Sequence, residues 1–241
     1  MTTPEPSDQP KRRRGRPRKG EGDRAFREES ILAVALDLFA EQGYQKTSMT
    51  QIARKVGINQ SSLYYHFPSK EDLLNKIYNF RGVRKEFTRL GRLDVSNTLK
   101  LHLLVVYDVV AKCDLPFDFY EFESVATDNP DAFEELFCAY RELYQNLVTT
   151  MEAGIATGEF LPCDTEELAV SVLSINEGLQ HHYHAKLRGQ LILESAGYSA
   201  RNLPPEDIGF MSSSSILSRI CPTRPDFEQL RKEARSFAPL A

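Results

Sequence analysis

No apolar run in these 241 residues approaches the roughly 20 that a membrane-spanning helix needs. The first residues are polar and basic, without an apolar stretch and small-residue cleavage site, so no secretory signal is expected. Cysteine is scarce. Cys113, Cys138, Cys163 and Cys221 lie far apart and form no CxxC pair. That excludes a disulfide-dense scaffold and points to free thiols in a reducing cytoplasm, most of them buried and inert. A Gly-rich phosphate loop, a GxSxG nucleophile turn, an HExxH pair and a spaced Cys/His metal set are all missing. The sequence therefore predicts no enzyme, no catalytic residue, no metal and no cofactor.

What the chain does have is an uneven distribution of charge. It carries 30 Lys+Arg against 34 Asp+Glu, a net charge of −4. Residues 1–100 hold 20 basic and 12 acidic side chains, or +8, and residues 101–241 hold 10 and 22, or −12. Such a chain offers its front to a polyanion and keeps its rear away. A hydrophobic content of 41% is enough for a core, so the chain as a whole is not disordered.

Residues 1–24 are rich in Pro, Gly and charge and are expected to be a disordered basic arm. Lys11 to Lys19 packs seven basic residues into nine. Its centre, Arg14-Gly15-Arg16-Pro17, resembles an AT-hook, an extended strand that lies in the minor groove of A·T-rich DNA. Gly15 permits close backbone approach, Pro17 favours an extended path, and Arg14 and Arg16 supply the charge. The alternative is a solvated tail that adds non-specific phosphate affinity.

From Phe26 the pattern becomes helical. Ile31, Leu32, Ala35, Leu38 and Phe39 share one face, and Gly43 is a stop signal. Thr47 or Ser48 can cap a short second helix over about 49–56, which Gly57 ends. Asn59 can cap a third through Gln60-Ser61-Ser62-Leu63-Tyr64-Tyr65-His66-Phe67. Ser69 with Asp72 has the form of a capping box for a fourth. Two short helices joined by a glycine turn and braced by a third make a helix-turn-helix. Its second helix meets base edges with its leading residues, here Asn59, Gln60, Ser61 and Ser62. Gln and Asn can bond adenine bidentately. Tyr64, Tyr65, His66 and Lys70 are within reach of phosphates, while Leu63 and Phe67 belong to the core.

The run from Ile52 to Leu74, with Ala35-Leu36-Asp37-Leu38-Phe39-Ala40-Glu41-Gln42-Gly43-Tyr44 before it, resembles the signature of the tetracycline-repressor (TetR) family. The resemblance implies an all-α fold: an N-terminal three-helix helix-turn-helix DNA-binding domain and a larger helical domain for ligand binding and dimerisation. It implies that Ser48 and Thr50 lie near the DNA backbone at the start of helix 2, that residues 59–62 read bases or grip phosphates, and that Tyr64, Tyr65, His66 and Lys70 approach the backbone. Family members often carry Lys-Gly where this chain has Gln60-Ser61. That loss of charge weakens generic phosphate affinity, which the basic arm offsets.

The acidic rear reads as further helices. Arg81, Arg84, Lys85, Arg89 and Arg92 continue a helix beyond Tyr78, with a break near Gly91 and Asp94. Helical periodicity then covers about 95–113, 130–157 and 165–188, an irregular stretch spans 189–203, and helices resume near Pro204 and over 227–237. The turn Gly154-Ile155-Ala156-Thr157-Gly158-Glu159-Phe160 resembles one in the middle of the family's second domain. The resemblance implies a ligand cavity in the rear, with Leu103, Tyr107, Phe117, Phe122, Phe137, Tyr140 and Tyr144 as candidate lining. Each of these is also a plausible core residue. Glu177, His181 and His184 share one helix face, where a metal stripe or a polar helix contact is geometrically open.

The expected organisation is an arm over 1–24, a DNA-binding domain over 25–78 and a ligand-binding, dimerising domain over 79–241. The expected function is a cytoplasmic, homodimeric repressor of double-stranded DNA, released from a pseudo-palindromic operator by a mainly apolar small-molecule effector, with no membrane partner. The alternative is an architectural DNA-binding protein whose rear only dimerises.

Overall fold

A computed structural model describes residues 21–237. It contains helices and no strand among the described residues. Arg14 and Arg16 lie outside the described residues. Helix α1 (Glu21–Gln42) takes in residues 21–24, which composition had assigned to the arm. It buries Ile31, Ala35 and Phe39 against α2 (Met49–Val56) and α4 (Lys70–Phe80), with α3 (Gln60–His66) beside α2. Thr47 pins the α1–α2 turn by donating to Gly43 O (2.9 Å) and Leu38 O (3.3 Å).

The helix expected to continue past Tyr78 is broken. Gly82 sits at φ +64°, a left-handed conformation that glycine adopts without strain, and it separates α4 from α5 (Val83–Gly91). Charge periodicity alone does not show this corner, because Arg81, Arg84 and Lys85 read as one continuous polar face.

The body is built on α6 (Asn97–Cys113), which is buried on nearly every side. Around it pack α5, α8 (Glu134–Thr157), α9 (Thr165–Leu187), α11 (Pro205–Ile220) and α12 (Phe227–Ala234). Helix α7 (Phe119–Asp128) and a 3₁₀ turn (Pro130–Phe133) bridge to the head, and short α10 (Ile192–Ser195) lies within the stretch expected to be irregular. The α8–α9 turn has a structural task. Glu159 accepts from Asn97 N (3.2 Å), Thr98 N (2.9 Å) and both of their side chains, so its carboxylate closes the N-terminus of α6.

One hydrophobic core runs from Ile31 to Ala234 through both parts of the molecule. Phe117 meets Phe39 of α1 (ring centroids 6.2 Å), and Phe122 meets Tyr78 of α4 (5.2 Å). Asn75 donates to Ala132 O (2.7 Å), and Tyr44 N to Glu121 of α7 (3.4 Å). The head is therefore seated on the body by aromatic faces and by polar contacts.

Candidate nucleic-acid interface and cavity

Helix α2 starts with a capping box. Ser48 Oγ accepts from Gln51 N (3.3 Å), and Gln51 Oε1 accepts from Ser48 N (2.8 Å). Gly57, at φ +79°, ends the helix, and Ile58 N returns to Ala53 O (3.0 Å). This tight turn delivers Asn59 to the head of α3. Asn59 Oδ1 accepts from Ser62 N (2.7 Å) and from Ser61 Oγ (2.9 Å). Its oxygen is therefore committed to the cap, and Ser61's proton is committed to Asn59. Gln60 and Thr50 are exposed, Ser62 is half-buried, and Tyr64 and Tyr65 stand out into solvent at 43% and 71% exposure. Leu63 is fully buried and anchors α3 to the core.

Two of the expected backbone contacts are tied inward. His66 Nδ1 lies 3.3 Å from Glu28 Oε1 on α1. Lys70 Nζ donates to Tyr44 O (2.9 Å) and Thr47 O (3.0 Å) and lies 4.0 Å from the Tyr44 ring centre. Burial lowers the Lys70 pKa, with Glu71 opposing that shift. Lys70 therefore stitches α4 to the α1–α2 turn. Lys46, exposed just ahead of the Ser48 cap, was not singled out by the sequence reading. Its position beside the cap of α2 is the only signal that finds it.

Between head and body, a cavity of about 820 Å³ opens among α1, the α4–α5 corner and α6. Leu32 and Leu36 wall it from the head, and Val83, Val110 and Ala111 wall it from the body. Of the seven residues expected to line a ligand site, Tyr107 lines this cavity. Tyr140 borders a second void, of about 20 Å³. Leu103, Phe117 and Phe122 are closed into the core, and Phe137 and Tyr144 pack half-buried against it. Those five border neither of these two spaces.

The small void is edged by a buried polar network. Lys112 Nζ pairs with Asp108 Oδ2 (3.1 Å), lies 3.8 Å from Glu177, and sits 4.9 Å and 5.1 Å from the Phe119 and Tyr140 ring centres. Asn176 donates to Asp108 (2.8 Å) and accepts from Ser212 (2.6 Å), and Tyr140 Oη donates to Glu177 (2.6 Å). A charge this deep is tolerable because every partner is hydrogen-bonded. Burial, followed by the nearby Asp108 and Glu177, raises the Tyr140 pKa far above its ordinary value.

The three residues of the α9 stripe point to different partners. Glu177 takes Tyr140 and Lys112, His181 Nδ1 lies 2.5 Å from Asp118, and His184 Nε2 lies 3.3 Å from Lys112 O. They make a polar helix contact, and no group of three metal-ligating side chains occurs among the described residues.

Residues 31–77 match the family model described as bacterial regulatory proteins, tetR family. The chain is 31% identical over 155 residues to the HTH-type transcriptional repressor KstR2 of Rhodococcus jostii strain RHA1, covering 61% of this chain and 74% of that protein. A bacterial regulatory protein of the tetR family from Rhodococcus RHA1 superposes with a TM-score of 0.63 at 22% identity, over 82% of this chain and 98% of that one. AibR, solved in complex with isovaleryl coenzyme A and operator DNA, superposes with a TM-score of 0.58 at 18% identity, over 81% and 98%. The chain belongs to the tetR family of bacterial regulatory proteins. It is a DNA-binding transcriptional regulator with a helix-turn-helix head and a helical body. No described helix is long and apolar enough to cross a membrane.

Proposed function

We propose that the protein is a cytoplasmic homodimer that represses transcription from a pseudo-palindromic operator and leaves it when a mainly apolar small molecule binds. The observation that carries this reading is the position of the large cavity. One wall is α1 of the head and the other is α6 of the body. An occupant that fits one head angle better than another changes DNA affinity by its differential affinity for the two states.

Residues 25–78 read the DNA. Gln60, Ser61, Ser62 and Thr50 face base edges or nearby phosphates, with Asn59 holding the helix start. Ser48, Tyr64, Tyr65 and Lys46 lie along the backbone, while His66 and Lys70 act by fixing α3 and the α1–α2 turn. The arm over 1–24, with Arg14 and Arg16, adds a salt-sensitive second grip. Residues 79–241 sense the effector and dimerise. Val170 and Ile175 on α9 and Met211 on α11 are exposed apolar side chains, which suits a four-helix contact with a second copy. The protein performs no catalysis.

Gel shifts with genomic fragments at two salt concentrations test this. Preferred fragments, a steep salt slope and two protomers per site are expected. Binding without preference over random DNA would refute the reading. Deleting residues 1–24 separates it from an architectural role: sequence preference should survive at lower affinity, whereas an architectural protein would lose its DNA affinity with the arm.

A further inference from the structure

The large cavity has a specific balance of polar groups. Glu86 and Arg89 are engaged with each other, with Arg89 Nε 2.9 Å from Glu86 Oε2, and Arg89 also donates to Phe237 O (2.9 Å). At the outer rim the exposed cations Arg81 and Lys85 stand with the exposed carboxylates Glu29 and Asp114. Arg81 donates to Asp114 O (2.6 Å). The cavity's charges therefore cancel, and a buried ion would find no net counter-charge.

Tyr107 is the exception among the half-buried polar groups of the cavity. It is half-buried in the wall, edge-on to Phe87 with centroids 5.3 Å apart. Its hydroxyl has no hydrogen-bond partner among the described residues. Burial, with the carboxylate of Glu86 adding to it, pushes the hydroxyl up to about 12, so it keeps its proton and is a donor at neutral pH. An occupant that displaces water from this hydroxyl without accepting from it leaves a polar group unsatisfied.

We propose that the cavity takes a neutral, mainly apolar molecule bearing a carbonyl or ether oxygen, and that this oxygen accepts a hydrogen bond from the Tyr107 hydroxyl. This rests on the effector reading above. Tyr107 then selects among apolar molecules of similar size, and the walls contributed by Leu32, Leu36, Val83 and Val110 hold the rest of the ligand.

The test is calorimetric titration of three probes with matched eleven-carbon chains: undecan-2-one, undecanoate and undecylammonium. The proteins are the wild type, Tyr107→Phe and Ala33→Trp. Tyr107→Phe keeps the ring against Phe87 and removes only the donor. Ala33 lines the cavity from an exposed position on α1, so a tryptophan there fills the space without entering the core. Circular dichroism verifies that both variants fold. The ketone is expected to bind wild type at least about tenfold more tightly than either ion, and Tyr107→Phe to weaken it about tenfold. Ala33→Trp is expected to abolish binding. An ion bound as tightly as the ketone, or a ketone affinity unchanged in Tyr107→Phe, overturns the proposed chemistry and leaves the cavity as the effector site. Binding of none of the probes to wild type, or ketone binding indifferent to Ala33→Trp, overturns the effector site itself.

Discussion

The caps of the head and the buried network of the body use polar side chains in opposite ways. In the head, Ser48, Asn59 and Ser69 each bond a backbone group three residues on and so fix where a helix begins. In the body, Asp108, Lys112, Asn176 and Ser212 come from three helices and meet in the interior. A local cap can be replaced at modest cost and leaves the surrounding surface available for recognition. A buried network binds distant parts of the chain to one another, and its members fail together. The helix-turn-helix is thus adjustable at its surface, and the body is fixed at its centre.

The sharpest way to break this contrast is Lys112→Met. It leaves Asp108 buried without its cation and is expected to lower stability by about 3–5 kcal/mol in urea unfolding. Adding Asp108→Leu should restore much of that loss. Operator preference, measured where the single variant is still folded, should not change.

A second test uses pH. His102 is buried, with Nδ1 2.6 Å from Ser213 Oγ and its ring near Phe210, and desolvation, aided by the charge of Arg231, lowers its pKa to about 4. The folded state resists the proton that the unfolded chain takes up near pH 6.5. Stability contributed by neutral His102 is therefore complete above about pH 6.5 and declines as pH falls toward 4. The loss is about 3 kcal/mol. His102→Gln should flatten that part of the pH–stability curve, and an unchanged slope would show that His102 is not its source.

Smaller effects belong to the head. Gln60→Ala should weaken binding to the preferred operator by about 1–3 kcal/mol and leave the melting temperature in place. An equal loss on all sequences would make Gln60 a phosphate contact instead. Asn59→Ala should remove about 1 kcal/mol of stability through loss of the α3 cap, and Asn59→Asp should retain it. If Asn59→Asp keeps the fold but loses operator preference, the remaining amide group of Asn59 reads DNA as well.

The same contrast explains what the sequence made visible. Gly57, the Asn59 cap and the apolar spacing of Ile52 and Leu63 act within a few residues, so α2, the turn and α3 could be read directly. Phe117 and Phe122 were equally visible as candidate lining or core residues, but not which of the two they are. Periodicity shows that a side chain faces inward. It does not show whether the interior there is solid, as at these two rings, or open, as beside Tyr107. Asp108 and Asn176 were hidden for a different reason, since their partnership joins positions 68 residues apart. The Gly82 corner was masked by the basic residues around it, whose spacing fits an unbroken helix.

That corner has a mechanical consequence. Helix α4 has 11 residues, about 16 Å of rigid rod. A tilt of about 10° at Gly82 moves the far end of such a rod by about 3 Å. In a two-fold assembly the two displacements add to about 6 Å against a half-site spacing of about 34 Å. In such an assembly, a rotation of that size is thus enough to put two reading helices out of step with successive major grooves.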